Sequence, residues 1–498
     1  MCVKALLLLV CGFSVVIQQG CFALRSPAGG SQATFSGTRP IHTADIAVSP
    51  GYRIEAVVSG LTFPTGVTFD DHGRLYLIEA GYSYGEVWTT PKLLRVGEDG
   101  QTTLILEGQN NGPWTGVSFH QGHFYIAEGG TLRGGRLLRV ALDGTVESLL
   151  EGLPSIGDHH TNGPVIGPDG LLYFSLGTTT NSGIVGQDNA KFGWLSRYPR
   201  GHDLPCRDIV LAGENYKSPN PLTPEPDDTA MTGAFSSFGQ QTATQHTVRG
   251  QIPCSGAVFR IPLPSGPLEL VAWGFRNPFG LAFAPSGDLF VTDNSYDDRG
   301  SRPVHGAGDL LWRVIPGAWY GWPDFHGTRL LSDGDHYVPP GKPRPKPLLA
   351  SHPNVPPDPV AILDVHASAD GFDFSRNPTF GYVGQAFIAL FGDQSPTSGK
   401  VLGPVGFKVV RVETAAGVIQ DFAVNRGRVN GPASRIGGGG FERPVAARFD
   451  PTGTALYVVD FGVMTIGQGG KVRMPWAPRA TTSESRQGTG VLWKITKE

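Results

Sequence analysis

The sequence predicts an all-β fold, a six-bladed β-propeller in which an N-terminal strand closes the last blade. Three observations carry this expectation. One strand-turn-strand pattern recurs six times along the chain, a second strand pattern follows every copy, and the last copy runs out of chain before its outer strand. Repetition at this scale marks an array of like units, none of which can bury its faces alone.

The first pattern is an apolar pair, a turn with Gly, and a short strand ending near an acid or Gly. It reads FDDHGRLYLIEAG from Phe69, FHQGHFYIAEGG from Phe119, IGPDGLLYFSLG from Ile166 and FAPSGDLFVTDN from Phe283. A degenerate copy, FGYVGQAFIALFGD, starts at Phe380, and the last, FDPTGTALYVVDFG, at Phe449. The second pattern reads LLRVGEDG, LLRVALDG, VFRIPLPSG, LWRVIPG, FKVVRVETAAG and VLWKI. A further strand such as TLILEG or LELVAWG follows most of them. Each unit is therefore a four-stranded antiparallel meander joined by tight turns. Six arranged radially bury both faces of every sheet and leave only short edges. VLWKI has almost no chain behind it, and residues 52–60, YRIEAVVSG, supply the missing strand.

Composition agrees. The chain has 498 residues with Gly 70, Pro 41 and 17% charged residues, a balance that suits many turns and few long amphipathic helices. With a net charge of −3 and no basic stripe, nucleic acid is not an expected partner. The propeller is expected over residues 45–498. Residues 179–255 form a long insertion in the third unit, and the Pro-rich residues 339–360 an extended loop packed on a face.

Residues 1–23 read as a signal peptide: Lys4, an apolar run too short to span a bilayer, and small residues placed for cleavage after Ala23. Gly20-Cys21 also matches a lipidation site, with simple cleavage the favoured reading. Export to the periplasm or outside the cell follows, with no membrane span. Cleavage leaves Cys206 and Cys254, an even pair in an oxidising compartment. They form either a disulfide closing the insertion or two buried thiols.

Unusual polar residues cluster in the connections that share one face of such a ring. Asp158-His159-His160 pairs a histidine, able to take a proton near neutral pH, with a carboxylate able to orient it. A structural histidine bonded to loop backbone is the alternative. The turn Asp293-Asn294-Ser295-Tyr296-Asp297-Asp298 offers oxygens to a hard cation such as Ca²⁺, or is a solvated turn. Arg276-Asn277-Pro278 lies in another connection of the same face.

At these residues the chain resembles the soluble quinoprotein glucose dehydrogenase and L-sorbosone dehydrogenase family, six-bladed propellers that bind pyrroloquinoline quinone (PQQ) and Ca²⁺. The resemblance is carried by LPSIGDHHTNGPVIGPDGLLYFSLG, WGFRNPFGLAFAPSGDLFVTDN, GAWYGWPDFHG and LYVVDFG. It implies an oxidoreductase acting on an aldose, aldehyde or related sugar derivative, with electrons passed to an external acceptor. It further implies His159 as general base, Asp158 beside the sugar, and Arg276 polarising the quinone oxygen. Asn277 and Asn294 match cofactor contacts, and Ser295 and Tyr296 match positions whose backbone carbonyls hold Ca²⁺. Arg443, and more distantly Lys400, are carboxylate partners for the cofactor. Tyr320 and Trp322 match the sugar-holding segment, and a substrate-contacting amide is implied near Gly112, either Asn111 or Gln109. Two positions depart from the family: Thr178 stands where it has an acid, and Phe441 where it has a second arginine. A metal-dependent propeller hydrolase or lactonase, or a binding propeller without catalysis, are the competing readings, since fold alone does not choose among them.

Overall fold

The structure, a computed structural model, describes residues 29–32, 35–83, 87–191, 193–467 and 482–498. The expected leader, with Cys21 and Ala23, lies outside them. The chain forms a six-bladed propeller, nearly all β.

Blade one runs outward as Pro64–Phe69, Leu75–Glu79, Lys92–Val96 and Thr102–Glu107, each strand antiparallel to the next. The same order holds in blade two, Trp114–His120 to Val146–Leu153. Blade three runs from Thr161–Ile166 to Glu269–Trp273, and blade four from Pro278–Phe283 to Ala361–Val365. Blade five starts at Ala369–Phe374 and blade six at Pro444–Phe449. In blade six the third strand, Gly490–Lys497, pairs with Tyr52–Leu61, so a segment from the N-terminal part of the chain supplies the outer strand. The innermost strands touch all the way round, including the first against the sixth, and the ring is closed.

Why these strands assemble this way is visible at the axis, where the inner strands crowd. A Cβ on Gly116 would overlap the carbonyl of Gly163, and one on Gly280 that of Asp370. Hydroxyls tie neighbouring blades: Thr65 Oγ1 donates to Trp114 O (2.6 Å), Thr115 Oγ1 to Thr161 O (2.6 Å) and Thr292 Oγ1 to Asp370 O (2.8 Å). Between blades the core is aromatic and aliphatic, with Phe63, Phe124, Phe174, Phe259, Trp312 and Trp493 fully buried.

Two features go beyond the repeat. Ile46–Val48 adds a fifth strand to blade five by pairing with Val418–Asn425. Residues 179–255, between the second and third strands of blade three, carry two short helices and two small two-stranded sheets. A disulfide joins Cys206 to Cys254, at a sequence separation of 48 residues. The insertion is not detached: it bonds the Pro-rich segment through Ala350 N to Val210 O and Ala212 N to Leu348 O, both 2.8 Å.

Candidate active site

On one face, loops from several blades enclose a cavity of about 1200 Å³, counted to its open mouth. One part of its wall is apolar, with Ala80, Pro113, Phe279, Phe391, Val445, Phe461 and Met464. The other carries Asp158, His159, Asn162, Arg276, Asn277, Asn294, Ser295, Asp297, Arg299, Asp309, His366 and Asp370.

His159 is the most constrained of these. Its Nδ1 lies 2.9 Å from Thr178 O, a group that can only accept, so Nδ1 carries the ring proton. In the neutral ring the lone pair is then on Nε2. That atom is 3.6 Å from Asp158 Oδ2, beyond hydrogen-bond length. Burial, reinforced by Arg276 and Arg299 against the opposing pull of Asp158, brings the His159 pKa down to about 3. The side chain is thus a neutral acceptor with a fixed tautomer.

Asp158 is ionised. Burial opposes this, but Arg299, with Arg276 further off, outweighs it and holds the carboxyl below its ordinary value. Arg299 is the centre of the charge network. It donates to Asp158, to Asp188 Oδ2 (3.1 Å) and to Asp297 Oδ2 (3.0 Å). Asp297 also binds Arg276 (2.8 Å) and faces His366 (3.5 Å), and the two arginines keep its pKa low despite burial.

Arg276 spends four of its five N–H groups on protein acceptors: Asn181 O (3.1 Å), Asn181 Oδ1 (2.9 Å), Asn294 O (3.0 Å) and Asp297. One N–H on Nη1 remains for a ligand. Asn277 donates to Asn294 Oδ1 (2.8 Å), and Asn294 to Ala369 O (2.8 Å), which fixes both amides at the cavity edge.

Ser295 and Tyr296 are buried, and neither backbone carbonyl accepts a hydrogen bond from the described residues. Asp309 accepts Ser295 N (2.9 Å) and Ala369 N (2.8 Å). Burial pushes the Asp309 pKa up to about 6, and burial together with Asp309 raises that of Asp370 well above the usual range. The Ser295 and Tyr296 carbonyls are oxygen donors of the kind a hard divalent cation takes, and Asp309 lies next to Ser295. The apolar wall and the uncommitted N–H of Arg276 fit a planar quinone.

Other expected residues fall outside the cavity lining. Arg443 is fully buried and grips Gly392 O (3.0 Å), Asp393 O (3.2 Å) and Ser31, so it supports the wall from behind. Lys400 is partly exposed and lies outside the lining. Asn111 staples a loop, donating to Glu128 (2.6 Å) and accepting from Arg133 N (2.8 Å). The Tyr320 hydroxyl is taken up by Arg313 O and Ile315 N, and its ring stacks on Phe275. Trp322 packs on Phe235 and donates to Asn181 O. The Tyr296 side chain points to Phe325 O. The acids of the 293–298 turn do not converge: Asp293 accepts Arg276 N and Asn277 N, while Asp298 faces His305.

Sequence reasoning did not single out Arg299, although it lies in a turn of the right face. Asn181, Asp188 and Asp203 belong to the insertion, and no local pattern marks them.

No protein-family profile matches the chain. By sequence it is similar to quinoprotein glucose dehydrogenase B of Acinetobacter calcoaceticus, 22% identical over 313 residues, which is 57% of this chain and 55% of that protein. The match thus spans about half the length of the relative. By fold it is similar to the carbohydrate-active enzyme family AA12 protein of Trichoderma reesei, with TM-score 0.54, 16% identity and coverage of 93% and 100% of the two chains. The PQQ domain of Coprinopsis cinerea pyranose dehydrogenase gives TM-score 0.53, 16% identity and coverage of 92% and 98%.

Proposed function

We propose that this protein is an exported PQQ- and Ca²⁺-dependent dehydrogenase that oxidises an aldose, aldehyde or related sugar derivative. The observation that carries the reading is His159, a neutral base with its proton fixed on Nδ1 and its Nε2 lone pair unclaimed in a cavity lining that also holds Arg276. Bound there, PQQ would supply a two-electron oxidant that accepts hydride from the substrate, with re-oxidation by an external acceptor.

The chain's own residues do the rest. His159 Nε2 takes the proton of the substrate hydroxyl, and Asp158 stabilises the imidazolium that results. Arg276 has one N–H left that would offset negative charge on a bound quinone. Asn277 and Asn294 would hold the cofactor edge. The carbonyls of Ser295 and Tyr296 would hold Ca²⁺. A cation is needed there because PQQ carries three carboxylates, while Arg276 and Arg299 are already paired with Asp158, Asp188 and Asp297. Arg443 acts through Gly392 and Asp393. Among the described residues no three His, Cys, Asp or Glu side chains are grouped to hold a metal, so a hard cation here would take backbone carbonyls.

The test is reconstitution. Purified protein is incubated with PQQ and Ca²⁺, and dye reduction is followed with a panel of sugars, polyols and aldehydes. Turnover that requires both additions is the expected result. Absence of quinone binding and of turnover across the panel would overturn the reading.

A further inference from the structure

The three residues Thr178–Thr180 form a hub beneath the polar wall. Thr178 O accepts both the backbone N–H of His159 (3.2 Å) and its ring Nδ1–H (2.9 Å). Thr178 Oγ1, 3.1 Å from the same Nδ1, donates its own hydrogen bond to Thr180 O (2.6 Å). Thr179 O accepts Asp158 N (3.0 Å), and Thr178 N donates to Arg276 O (2.8 Å). Base, carboxylate and arginine therefore each share a backbone hydrogen bond with this one segment.

From the insertion side the segment is held by one carboxylate, Asp203, together with the Asn189 amide, which donates to Thr179 O (2.9 Å). Asp203, 1% exposed, accepts Thr179 N at Oδ1 (2.6 Å) and the Thr180 hydroxyl at Oδ2 (2.5 Å). Asp203 makes no ion pair among the described residues; donors from Thr179 and Thr180, the Thr180 backbone N–H included, answer its charge. Burial pushes its pKa up to about 7, which makes it costly to keep as an anion. Its own support is rigid. Leu204 exchanges two hydrogen bonds with Ser255, and Cys206 is bridged to Cys254 just before the strand Ala257–Ile261.

We propose that Asp203 is the positioning residue of the base: anchored beside the disulfide, its carboxylate clamps Thr179 and Thr180 so that Thr178 O holds the proton of His159 on Nδ1 and leaves Nε2 open. The proposal rests on His159 acting as the base. It gives the insertion a definite task at the site, though none of its side chains need touch the substrate.

The test uses Asp203→Ala, Asp203→Asn and Thr180→Val in the full chain. The first readout is the tautomer of His159 in the cofactor-free protein, by ¹⁵N NMR, with its signals identified from their loss in His159→Gln. The second is the split between kcat and KM, per bound quinone, in the reconstituted protein. Wild type is expected to show the neutral Nδ1–H form alone at pH 7. Asp203→Ala is expected to mix the two tautomers and to lower kcat roughly 10- to 100-fold, with KM within about threefold, because displacement of a catalytic group acts on the chemical step. Asp203→Asn keeps an acceptor for Thr179 N and loses the one for the Thr180 hydroxyl, so its effect falls between, as does that of Thr180→Val. A folded Asp203→Ala with the wild-type tautomer and kcat overturns the proposal. If that variant does not fold, wild-type tautomer and kcat in both Asp203→Asn and Thr180→Val overturn it. Absence of dye reduction in wild type would count against the dehydrogenase reading, and the tautomer measurement would still decide the role of Asp203.

Discussion

His159 can serve as a base only if it stays neutral and keeps Nε2 unprotonated, and both conditions have physical causes here. Burial disfavours the imidazolium, and Thr178 O takes the Nδ1 proton. Replacing His159 by Ala is expected to cost about 10²- to 10⁴-fold in turnover while quinone binding is retained; unchanged turnover would refute its role. With its pKa at about 3, the His159 limb of the rate profile is expected to be flat from about pH 5 upward. A limb near 6.5 would show that the ring is not held as described. The linkage has a defined sign. The folded pKa lies below the unfolded value of about 6.5, so the unfolded chain binds the extra proton. Stability is therefore complete above that value and falls as pH drops from about 6.5 towards 3. Arg299→Met should leave three carboxylates without their shared cation and destabilise the fold by about 3–5 kcal/mol, read by denaturant titration. Of these residues, Asp158, His159 and Arg276 were legible in the sequence because they sit in short motifs at blade connections. Arg299 was not, because its importance comes from partners 141, 111 and 2 residues away.

Among the elements, the strands of the blades were legible because the same apolar strand and Gly-containing turn return in every unit, each buried against the neighbouring blades. Ile46–Val48 was not, since three residues carry no period. The insertion carries its information in tertiary contacts: Asn181, Asp188 and Asp203 reach the site from a segment whose own strands are short. Its disulfide constrains a span of 48 residues, for which loop-closure entropy gives about 4 kcal/mol. Cys206→Ser with Cys254→Ser is expected to lose most of that stability and to open residues 207–253 to limited proteolysis. Equal cleavage rates in variant and wild type would show that the insertion is held by its other contacts alone.

At the scale of the molecule, the closing strand Tyr52–Leu61 turns six meanders into a ring, and the ring sets the loops of different blades around one cavity. Among the described residues no helix is long and apolar enough to cross a membrane. The central claim is that this cavity binds a quinone beside a neutral histidine base. The most direct measurement is single-turnover stopped flow on the Ca²⁺- and PQQ-reconstituted protein, with an aldose bearing hydrogen or deuterium at C1. The expected result is rapid bleaching of the bound quinone, slowed by deuterium, and lost in His159→Gln although that variant still binds PQQ. Failure of the wild-type protein to bind PQQ, or bleaching that proceeds equally fast in His159→Gln, would contradict the claim.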